Sequence, residues 1–173
     1  MSWYAIDKKY INYLKKYDNL VPNNDYKNKM KCFLGIILEN DGVQYFAPLT
    51  SYKPKFERLK SDIDFVKIKN PKTGKIYGAI NLNNMIPVTS KNYTEITFEN
   101  LENFRTFKNS REKKLYWKLL CEEYSFLDEK LILKNVHKIY ELKHRKPYNN
   151  VSRRCCNFKL LEEKCREYNR WFL

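Results

Sequence analysis

The sequence contains the stretch Cys32-Phe33-Leu34-Gly35-Ile36-Ile37-Leu38, then Asn40-Asp41-Gly42, then Gln44-Tyr45-Phe46-Ala47-Pro48-Leu49. The two outer segments are rich in aromatic and β-branched residues, which favour strands. The central tripeptide is typical of a tight turn, because Asp and Gly tolerate the positive φ angles that such a turn needs. The stretch therefore predicts a β-hairpin at the centre of the fold.

Strand signals continue on both sides of this hairpin. A second hairpin is predicted with arms at residues 65–69 and 76–80, joined by residues 70–75. Shorter strands are predicted at residues 3–6, 85–88 and 95–98. The first hundred residues therefore predict a twisted antiparallel sheet or a half-open barrel.

Beyond residue 100 the apolar residues recur at helical spacing. The stretches that carry this period contain Leu115, Leu119 and Leu120; Leu127, Leu131, Ile132, Val136, Ile139 and Leu142; and Phe158, Leu161, Cys165 and Tyr168. A helix is also predicted after Asp7, with Tyr10, Leu14 and Tyr17 on one side. The chain is therefore expected to form one α+β domain over residues 1–173, with helices packed on the sheet and a mainly helical C-terminal half.

The charge balance favours a polyanionic partner. The chain carries 34 Lys and Arg residues against 20 Asp and Glu residues, a formal net charge of +14. This excess is spread over both halves of the chain, which suits a folded surface that follows a phosphate backbone. The sequence has no apolar run of membrane-spanning length and no secretory signal pattern, so a cytoplasmic protein without a membrane partner is expected.

Several possible metal or phosphate sites are not supported by their spacing. The five cysteines form no CxxC pair and are interpreted as reduced core thiols. Asp62 and Asp64 are expected on one face of a strand, but no further carboxylates cluster nearby, so no metal is assigned. The segment Pro71-Lys72-Thr73-Gly74-Lys75 lacks the glycine and hydroxyl positions of a phosphate-binding loop and is interpreted as a hairpin turn.

The two histidines do not form the pair that a two-histidine ribonuclease site needs. His137 and His144 are seven residues apart on a predicted helix, which places them on one side but about 10 Å apart by helical rise. Each is interpreted as a satisfied or solvent-facing side chain.

The strongest candidate for chemistry is Pro48-Leu49-Thr50-Ser51-Tyr52-Lys53, followed by Pro54 and Lys55. A strand that ends here would present two hydroxyls, free backbone N–H groups and lysine charges to a phosphate. The same residue types are also common in an ordinary turn. Taken alone, this segment is better explained as an ordinary turn.

The N-terminal segment has the pattern Tyr4-x-Ile6-x-x-Lys9-Tyr10-Ile11-x-Tyr13-Leu14-Lys15-x-x-Asp18-x-x-Val21-Pro22-Asn23. This pattern resembles the ToxN/AbiQ family, the endoribonuclease toxins of type III toxin-antitoxin and phage-abortive systems. Four later segments agree with the family in the same order, namely Phe33-Leu34-Gly35-Ile36-Ile37-Leu38-Glu39, Tyr45-Phe46-Ala47-Pro48-Leu49-Thr50-Ser51-x-Lys53, Ile80-Asn81-Leu82-x-x-Met85-Ile86-Pro87 and Cys156-Asn157-Phe158-x-Leu160-Leu161-Glu162-Glu163-Lys164. The chain departs from the pattern mainly at residues 52–75 and 138–154.

This resemblance implies a barrel-like core related to the Kid/MazF toxins. It also implies an inhibitory antitoxin small RNA that is transcribed from tandem repeats. Members of the family cut that precursor RNA and cellular transcripts, and they can form closed rings of alternating protein and RNA. No cofactor is expected.

RNA carries its own nucleophile, the 2'-hydroxyl, so the enzyme need only align this group and manage protons and charge. Ser51 is therefore interpreted as a hydrogen-bonding group together with Thr50, since no histidine lies nearby to activate a serine nucleophile. Lys53 is expected to stabilise phosphate charge or to transfer a proton, and Lys31 is the second candidate for either role. Tyr10 matches a tyrosine near the family's site, although it is equally well explained as a core aromatic.

Basic residues near the predicted site and on the helical half are the candidates for further RNA contacts. They are Lys8, Lys9, Lys55, Arg58, Lys108, Arg111 and Lys113. Two other classes of protein fit the composition. A non-catalytic RNA-binding regulator would use the same basic surface and the 14 tyrosines to stack on bases. A DNA-binding repressor is less consistent with the sequence, which has no helix-turn-helix signature.

Overall fold

The structure is a computed structural model that describes residues 1–26 and 29–171, with only the backbone described at residues 25, 26, 29 and 30. The strands within these residues are β1 (Ser2–Ile6), β2 (Asp25–Tyr26), β3 (Lys29–Met30), β4 (Phe33–Asn40), β5 (Val43–Ser51), β6 (Phe65–Lys69), β7 (Ile76–Asn81), β8 (Ile86–Val88) and β9 (Tyr93–Glu95). The α-helices are α1 (Lys8–Leu14), α2 (Ser110–Ser125), α3 (Glu129–Arg145), α4 (Asn150–Arg154) and α5 (Phe158–Trp171).

The hairpin of β4 and β5 is the centre of the sheet, as predicted. Asn40 pairs with Val43 across the turn, and the two residues between them have positive φ angles, 47° at Asp41 and 76° at Gly42. A two-residue hairpin turn with this pairing requires positive φ angles at both central residues, and Asp and Gly adopt such angles at low cost. The local turn chemistry therefore determines the register of the two longest strands next to the turn, and the register shifts further along, between Leu34 and Leu38.

The main sheet has the strand order β6-β7-β5-β4-β1-β9, with antiparallel pairing throughout. The long strand β5 pairs with β4 along one edge, and with β8 and then β7 along the other. The sheet is open, because β6 and β9 are its two outer strands. The α+β prediction is thus confirmed in its coarse form, whereas a core like that of the Kid/MazF toxins stays a prediction.

The second hairpin is also confirmed, but the last strand is shifted. Strands β6 and β7 pair as expected, and Gly74 in their connection has a φ of 75°, so residues 70–75 form a turn. The prediction of a strand at residues 95–98 was wrong in its bounds. The pairing of β9 with β1 begins at Tyr93 and ends at Glu95, since residues 97–100 form a turn in which Thr97 and Asn100 exchange hydrogen bonds.

Helix α1 begins where its capping residue predicts. The Asp7 carboxylate accepts a hydrogen bond from the Tyr10 backbone N–H at 2.9 Å, which satisfies one of the free donors of the first turn. Tyr10 and Leu14 are buried as expected. Tyr17 lies beyond the end of the helix and is 42% exposed, so its predicted place on the helix was wrong.

The C-terminal half is mainly helical, although its burial differs from the leucine pattern. In α2 the buried residues are Leu120 and Glu123, and Leu115 is 60% exposed. In α3 the buried residues include Ile132, Val136 and Ile139, but Leu131 is 40% exposed. Helical periodicity correctly predicts the helices here but overestimates the width of their buried faces.

Helix α5 packs against β8 and α1 and buries the four residues that its spacing predicts. The Glu162 carboxylate on this helix accepts hydrogen bonds from the Tyr45 hydroxyl at 2.6 Å and from the Tyr140 hydroxyl at 2.7 Å. A buried carboxylate is tolerated where donors surround it in this way. Glu162 therefore connects α5, α3 and the central strand β5.

None of the helices in the described part of the chain is long and apolar enough to cross a membrane.

Candidate active site

A pocket of about 830 Å³ opens where β5 ends. One wall is formed by the chain that follows α1, and a second by the end of β5 and the turn after it. The third wall comes from the region between β9 and α2 and from α2 itself. The residues that line it include Lys15, Pro22, Asn23, Lys31, Cys32, Thr50, Ser51, Tyr52, Lys53, Lys55, Phe56, Leu59, Phe65, Asn81, Asn84, Arg105 and Tyr116.

The predicted catalytic segment forms one edge of this pocket. Thr50 and Ser51 are the last two residues of β5 and pair with Ala79 and Gly78 of β7. The Thr50 side chain is half-buried and its hydroxyl accepts a hydrogen bond of 2.7 Å from the Asn81 side chain, whereas Ser51 is exposed. The strand pairing therefore holds the backbone of both residues, and both line the pocket.

Lys53 lies where the chain turns away from the sheet. The Lys53 carbonyl accepts a hydrogen bond of 2.8 Å from the Phe56 N–H, which begins a short 3-10 helix at Pro54–Glu57. Pro54 suits the first position of such a turn, since its fixed φ and missing N–H cost nothing there. The Lys53 side chain is exposed at the mouth of the pocket.

Lys31 lies on the same pocket and is half-buried. Burial, and then the positive charge of Lys53, lower the pKa of the Lys31 amine. Both effects disfavour the charged form, so the Lys31 amine loses its proton more readily than an ordinary lysine. The structure thus brings together Lys31, Thr50, Ser51 and Lys53, four of the five residues that the sequence suggested for catalysis.

Tyr10 does not reach this pocket. Its side chain is fully buried, and its hydroxyl donates a hydrogen bond to the Pro87 carbonyl. Its ring packs edge-on against Tyr168, with 5.1 Å between the ring centroids. Burial raises the pKa of the Tyr10 hydroxyl well above its usual range. These contacts match the core-aromatic interpretation and not the predicted phosphate contact.

The pocket is strongly basic. Lys15, Lys31, Lys53, Lys55 and Arg105 line it, and the described residues of its wall include no Asp or Glu. Cations that gather around a cavity without compensating carboxylates produce a positive potential that attracts anions. The pocket is therefore suited to a phosphate-bearing ligand.

Of the predicted RNA-binding residues, only Lys55 lines the pocket. Arg58 is exposed just beyond it, and Lys8 and Lys9 are exposed on the first turn of α1. Two others, Lys108 and Arg111, are exposed near the start of α2.

Lys113 is engaged within the protein and is a poor candidate for an RNA contact. Its amine lies 2.8 Å from the Glu102 carboxylate and 4.7 Å from the centroid of the Phe98 ring. The side chain is only 12% exposed. This combination explains Lys113 as a structural cation that holds α2 against the preceding loop.

Sequence reasoning missed Asn81, Arg105 and Tyr116. Asn81 occurs in one of the segments that resemble the family, but its contact with Thr50 depends on the pairing of β7 with β5. Arg105 and Tyr116 are separated from the catalytic segment by more than fifty residues, and no motif connects them to it. The one available signal was compositional, since Phe104-Arg105-Thr106-Phe107 places a cation between aromatic residues.

The other titratable residues considered from sequence lie elsewhere. Asp62 and Asp64 are not on a strand as expected; they precede β6, and both contact Arg154, whose Nη2 is 2.8 Å from Asp64 and 3.4 Å from Asp62. His137 is exposed, and the ring of His144 contacts the Tyr140 carbonyl at 2.6 Å. Among the residues that the structure describes, no cluster of three or more potential metal ligands occurs.

The cysteines follow the prediction with one exception. Cys32, Cys155, Cys156 and Cys165 are buried free thiols, whereas Cys121 is exposed on α2. Interpreting Cys121 as a core residue was therefore wrong.

An open antiparallel sheet whose central strand ends in a basic, hydroxyl-bearing pocket is suited to a protein that acts on a phosphate-bearing ligand. Residues 2–166 match the family model of the toxin ToxN of type III toxin-antitoxin systems, and this chain belongs to that family.

Individual relatives agree with this assignment. The chain is 32% identical to the endoribonuclease ToxN of Pectobacterium atrosepticum, over 98% of this chain and 95% of that protein. It is 30% identical to the endoribonuclease ToxN of Bacillus thuringiensis subsp. kurstaki, over 96% of this chain and 84% of that protein. A solved structure, described with selective inhibition of a type III toxin by a non-coding RNA pseudoknot, has a TM-score of 0.79 and 29% identity, and 96% of each chain is covered.

Proposed function

We propose that this chain is a sequence-specific, metal-independent endoribonuclease toxin. It cuts cellular RNA and its own repeat-containing antitoxin RNA precursor, and the processed antitoxin RNA inhibits it. The observation that carries the proposal is the basic pocket, in which two strand-end hydroxyls stand beside two lysines and the described lining has no carboxylate. Family membership and endoribonuclease relatives support the same conclusion.

The reaction uses the substrate's own 2'-hydroxyl. Its oxygen attacks the adjacent phosphorus, a bond from the 2'-oxygen to phosphorus forms, and the bond from phosphorus to the 5'-oxygen breaks. The products are a 2',3'-cyclic phosphate and a 5'-hydroxyl end. The enzyme's part is to hold the phosphate, to accept one proton and to supply another.

The residues divide these tasks according to their positions. Thr50 and Ser51 donate hydrogen bonds to the phosphate oxygens from the fixed end of β5. Lys31 accepts the proton of the 2'-hydroxyl, because its environment favours the neutral amine. Lys53 stabilises the charge that develops on the phosphate and protonates the leaving 5'-oxygen; one such well-placed donor contributes about a hundredfold to a thousandfold in rate.

The inhibitor is an antitoxin small RNA that binds the same basic surface without being cut further. Lys55 and Arg58 extend the positive surface outward from the pocket, and Lys8, Lys9, Lys108 and Arg111 are exposed for additional phosphate contacts. We also propose that protein and RNA alternate in a ring-shaped assembly. The toxin acts in the cytoplasm as a single domain with a core related to that of the Kid/MazF toxins.

The test is cleavage of the repeat-containing precursor RNA by the purified protein in excess chelator. We expect cleavage to continue and to leave 2',3'-cyclic phosphate ends. Ser51→Ala and Lys53→Ala should each abolish cleavage while the processed RNA still binds, since binding depends on many contacts and chemistry on few.

Lys134→Ala, which changes an exposed lysine of α3 away from the pocket, is the control. Undiminished cleavage by both site variants, or a requirement for added magnesium, would overturn the proposal. Tight RNA binding with no cleavage by the parent protein would support the non-catalytic regulator instead.

A further inference from the structure

Arg105 is held rigidly in the wall of the pocket by contacts on several sides. The carbon at the centre of its guanidinium lies 4.1 Å from the centroid of the Tyr116 ring and 5.4 Å from that of the Phe107 ring. Its Nη2 lies 3.6 Å from the Glu112 carboxylate. A guanidinium stacked on an aromatic face has lost most of its rotamer freedom before any ligand binds.

These contacts leave part of the hydrogen-bonding capacity of Arg105 unused. The guanidinium has five N–H donors, and Glu112 approaches only one nitrogen. The Nε atom is buried and has no hydrogen-bond partner. Because Nε is buried, the donors of Arg105 that a ligand in the pocket can reach are the N–H groups of the two terminal nitrogens.

Arg105 lines the same pocket as Lys31 and Lys53, and so does Cys32. Burial is the largest cause of the raised pKa of the Cys32 thiol, about 11, and the charges of Arg105 and Lys31 both act on this thiol in the opposite direction. Lys31 in turn lies close enough to Lys53 for their charges to interact. Lys53, Lys31 and Arg105 therefore place three cations on the wall of one pocket.

We propose that Arg105 is a phosphate-binding residue of this site, whose guanidinium donates hydrogen bonds to the non-bridging oxygens of the phosphodiester that Lys31 and Lys53 also face. The proposal rests on the proposed ribonuclease function and adds a third cation to its phosphate site. Arg suits this task better than Lys, because its planar fork matches two phosphate oxygens at once. Tyr116 positions the guanidinium, and Glu112 limits its rotation.

The experiment compares Arg105→Ala and Arg105→Lys with the parent protein and with Arg153→Ala. Arg153 is an exposed arginine on α4 that does not line the pocket, so it is a matched control. The measurement is the single-turnover rate of cleavage of a mixed-sequence RNA transcript at saturating protein. We expect Arg105→Ala to lose about a hundredfold in rate and Arg153→Ala to match the parent.

Two further measurements separate phosphate binding from a structural role. Added guanidinium ion at concentrations that do not denature the parent should restore part of the rate of Arg105→Ala but none of the rate of Lys53→Ala. Thermal melting reports whether Arg105→Ala is folded. If it melts well below the parent, Arg105→Lys decides, because it keeps a cation and an aliphatic stem beside Tyr116; we expect about a tenfold loss with unchanged melting.

The outcomes are distinguishable. If neither the parent nor Arg153→Ala cuts RNA, the proposed function fails and the role of Arg105 fails with it. If both cut and a folded Arg105→Ala cuts equally fast, or loses rate that guanidinium does not restore, the phosphate-binding role alone is overturned. An Arg105→Lys variant with the full parental rate would also overturn it where the alanine variant does not fold.

Discussion

The Asn81 side-chain amide donates a hydrogen bond of 2.7 Å to the Thr50 hydroxyl oxygen, and this contact joins the ends of two neighbouring strands at the pocket. Because the Thr50 oxygen accepts from Asn81, its own O–H is directed away from Asn81 and is available to donate to a phosphate. Asn81 thus orients a hydroxyl that contacts the substrate in the proposed mechanism.

We predict that Asn81→Ala lowers the cleavage rate about fivefold, the equivalent of one hydrogen bond of about 1 kcal/mol. Thr50→Val removes the hydroxyl itself and should lose at least as much. The double variant should be no slower than Thr50→Val alone, because Asn81 acts only through the Thr50 hydroxyl, which Thr50→Val has already removed. Asn103→Ala, at an exposed position outside the pocket, is the control. Losses that simply multiply in the double variant would show that Asn81 acts independently of Thr50.

The lowered pKa of Lys31 predicts a particular pH profile. If neutral Lys31 is the base, the single-turnover rate rises with pH while the amine deprotonates, and it levels off below the usual lysine pKa of about 10.4. Lys31→Arg keeps the positive charge but cannot act as a base, because arginine stays protonated. The variant should therefore lose most of the cleavage rate, and its rate should no longer rise with pH. Lys134→Arg should keep the parental profile. A rate for Lys31→Arg that rises with pH as in the parent would remove Lys31 from the role of base.

Binding of RNA should weaken steeply with salt. For single-stranded RNA the logarithm of the affinity falls by about 0.7 per tenfold increase in salt for each phosphate contacted. The variants are made in the Ser51→Ala protein, so that the RNA stays intact. Adding Lys55→Ala should reduce the slope by about 0.7, the contribution of one phosphate contact. Lys130→Ala, an exposed lysine on α3 outside the pocket, should leave it unchanged. Equal slopes for all three proteins would mean that Lys55 does not contact a phosphate.

Glu123 predicts how stability depends on pH. Burial of this carboxyl in α2 raises its pKa from 4.5 to about 7. In the folded state it therefore holds a proton that the unfolded chain releases, so stability falls as pH rises from about 4.5 to about 7, by up to about 3 kcal/mol. Below that window both states are protonated, and above it both are ionised.

Urea unfolding of Glu123→Gln at pH 5 and pH 7.5 should show a smaller loss of stability than the parent shows over the same interval. Glu122→Gln, which changes the neighbouring, partly exposed carboxylate, should behave like the parent. Parallel losses in the parent and in Glu123→Gln would contradict the assignment.

Much of the sheet could be predicted because its information is local. Asp41 and Gly42 are residue types that readily adopt positive φ angles, and their turn determines which residues of β4 and β5 face each other from Leu38 to Tyr45. The shift in register between Leu34 and Leu38 was not predicted. The Thr50-Ser51-Tyr52-Lys53 segment could be found in the same way, as hydroxyls and charge at a strand end. Its identification as a site, however, came from the family resemblance and not from turn chemistry.

The rest of the site depends on contacts between distant parts of the chain. Asn81 meets Thr50 only because β7 pairs with β5 in a register that places Thr50 opposite Ala79. Arg105 and Tyr116 reach the pocket only because of how the chain before α2 and α2 itself pack against the sheet. Helix α2 buries Glu123 and exposes Leu115, which is the reverse of what hydrophobic periodicity predicts. Periodicity predicts Tyr10 on the apolar side of α1, where it is buried, whereas the expected phosphate contact of Tyr10 came from the family resemblance.

Strand β1 lies between β4 and β9, so one of its edges pairs with a strand that ends at Glu95, far along the chain. The pocket needs still later residues, since Arg105 and Tyr116 follow β9. A shortened protein that ends before α2 therefore lacks a wall of its pocket even though it contains the entire Thr50-Ser51-Tyr52-Lys53 segment. Under the proposed toxin function, cells selected for surviving induction of the gene should thus carry premature stop codons not only within that segment but also downstream of it, as far as the codons of α2.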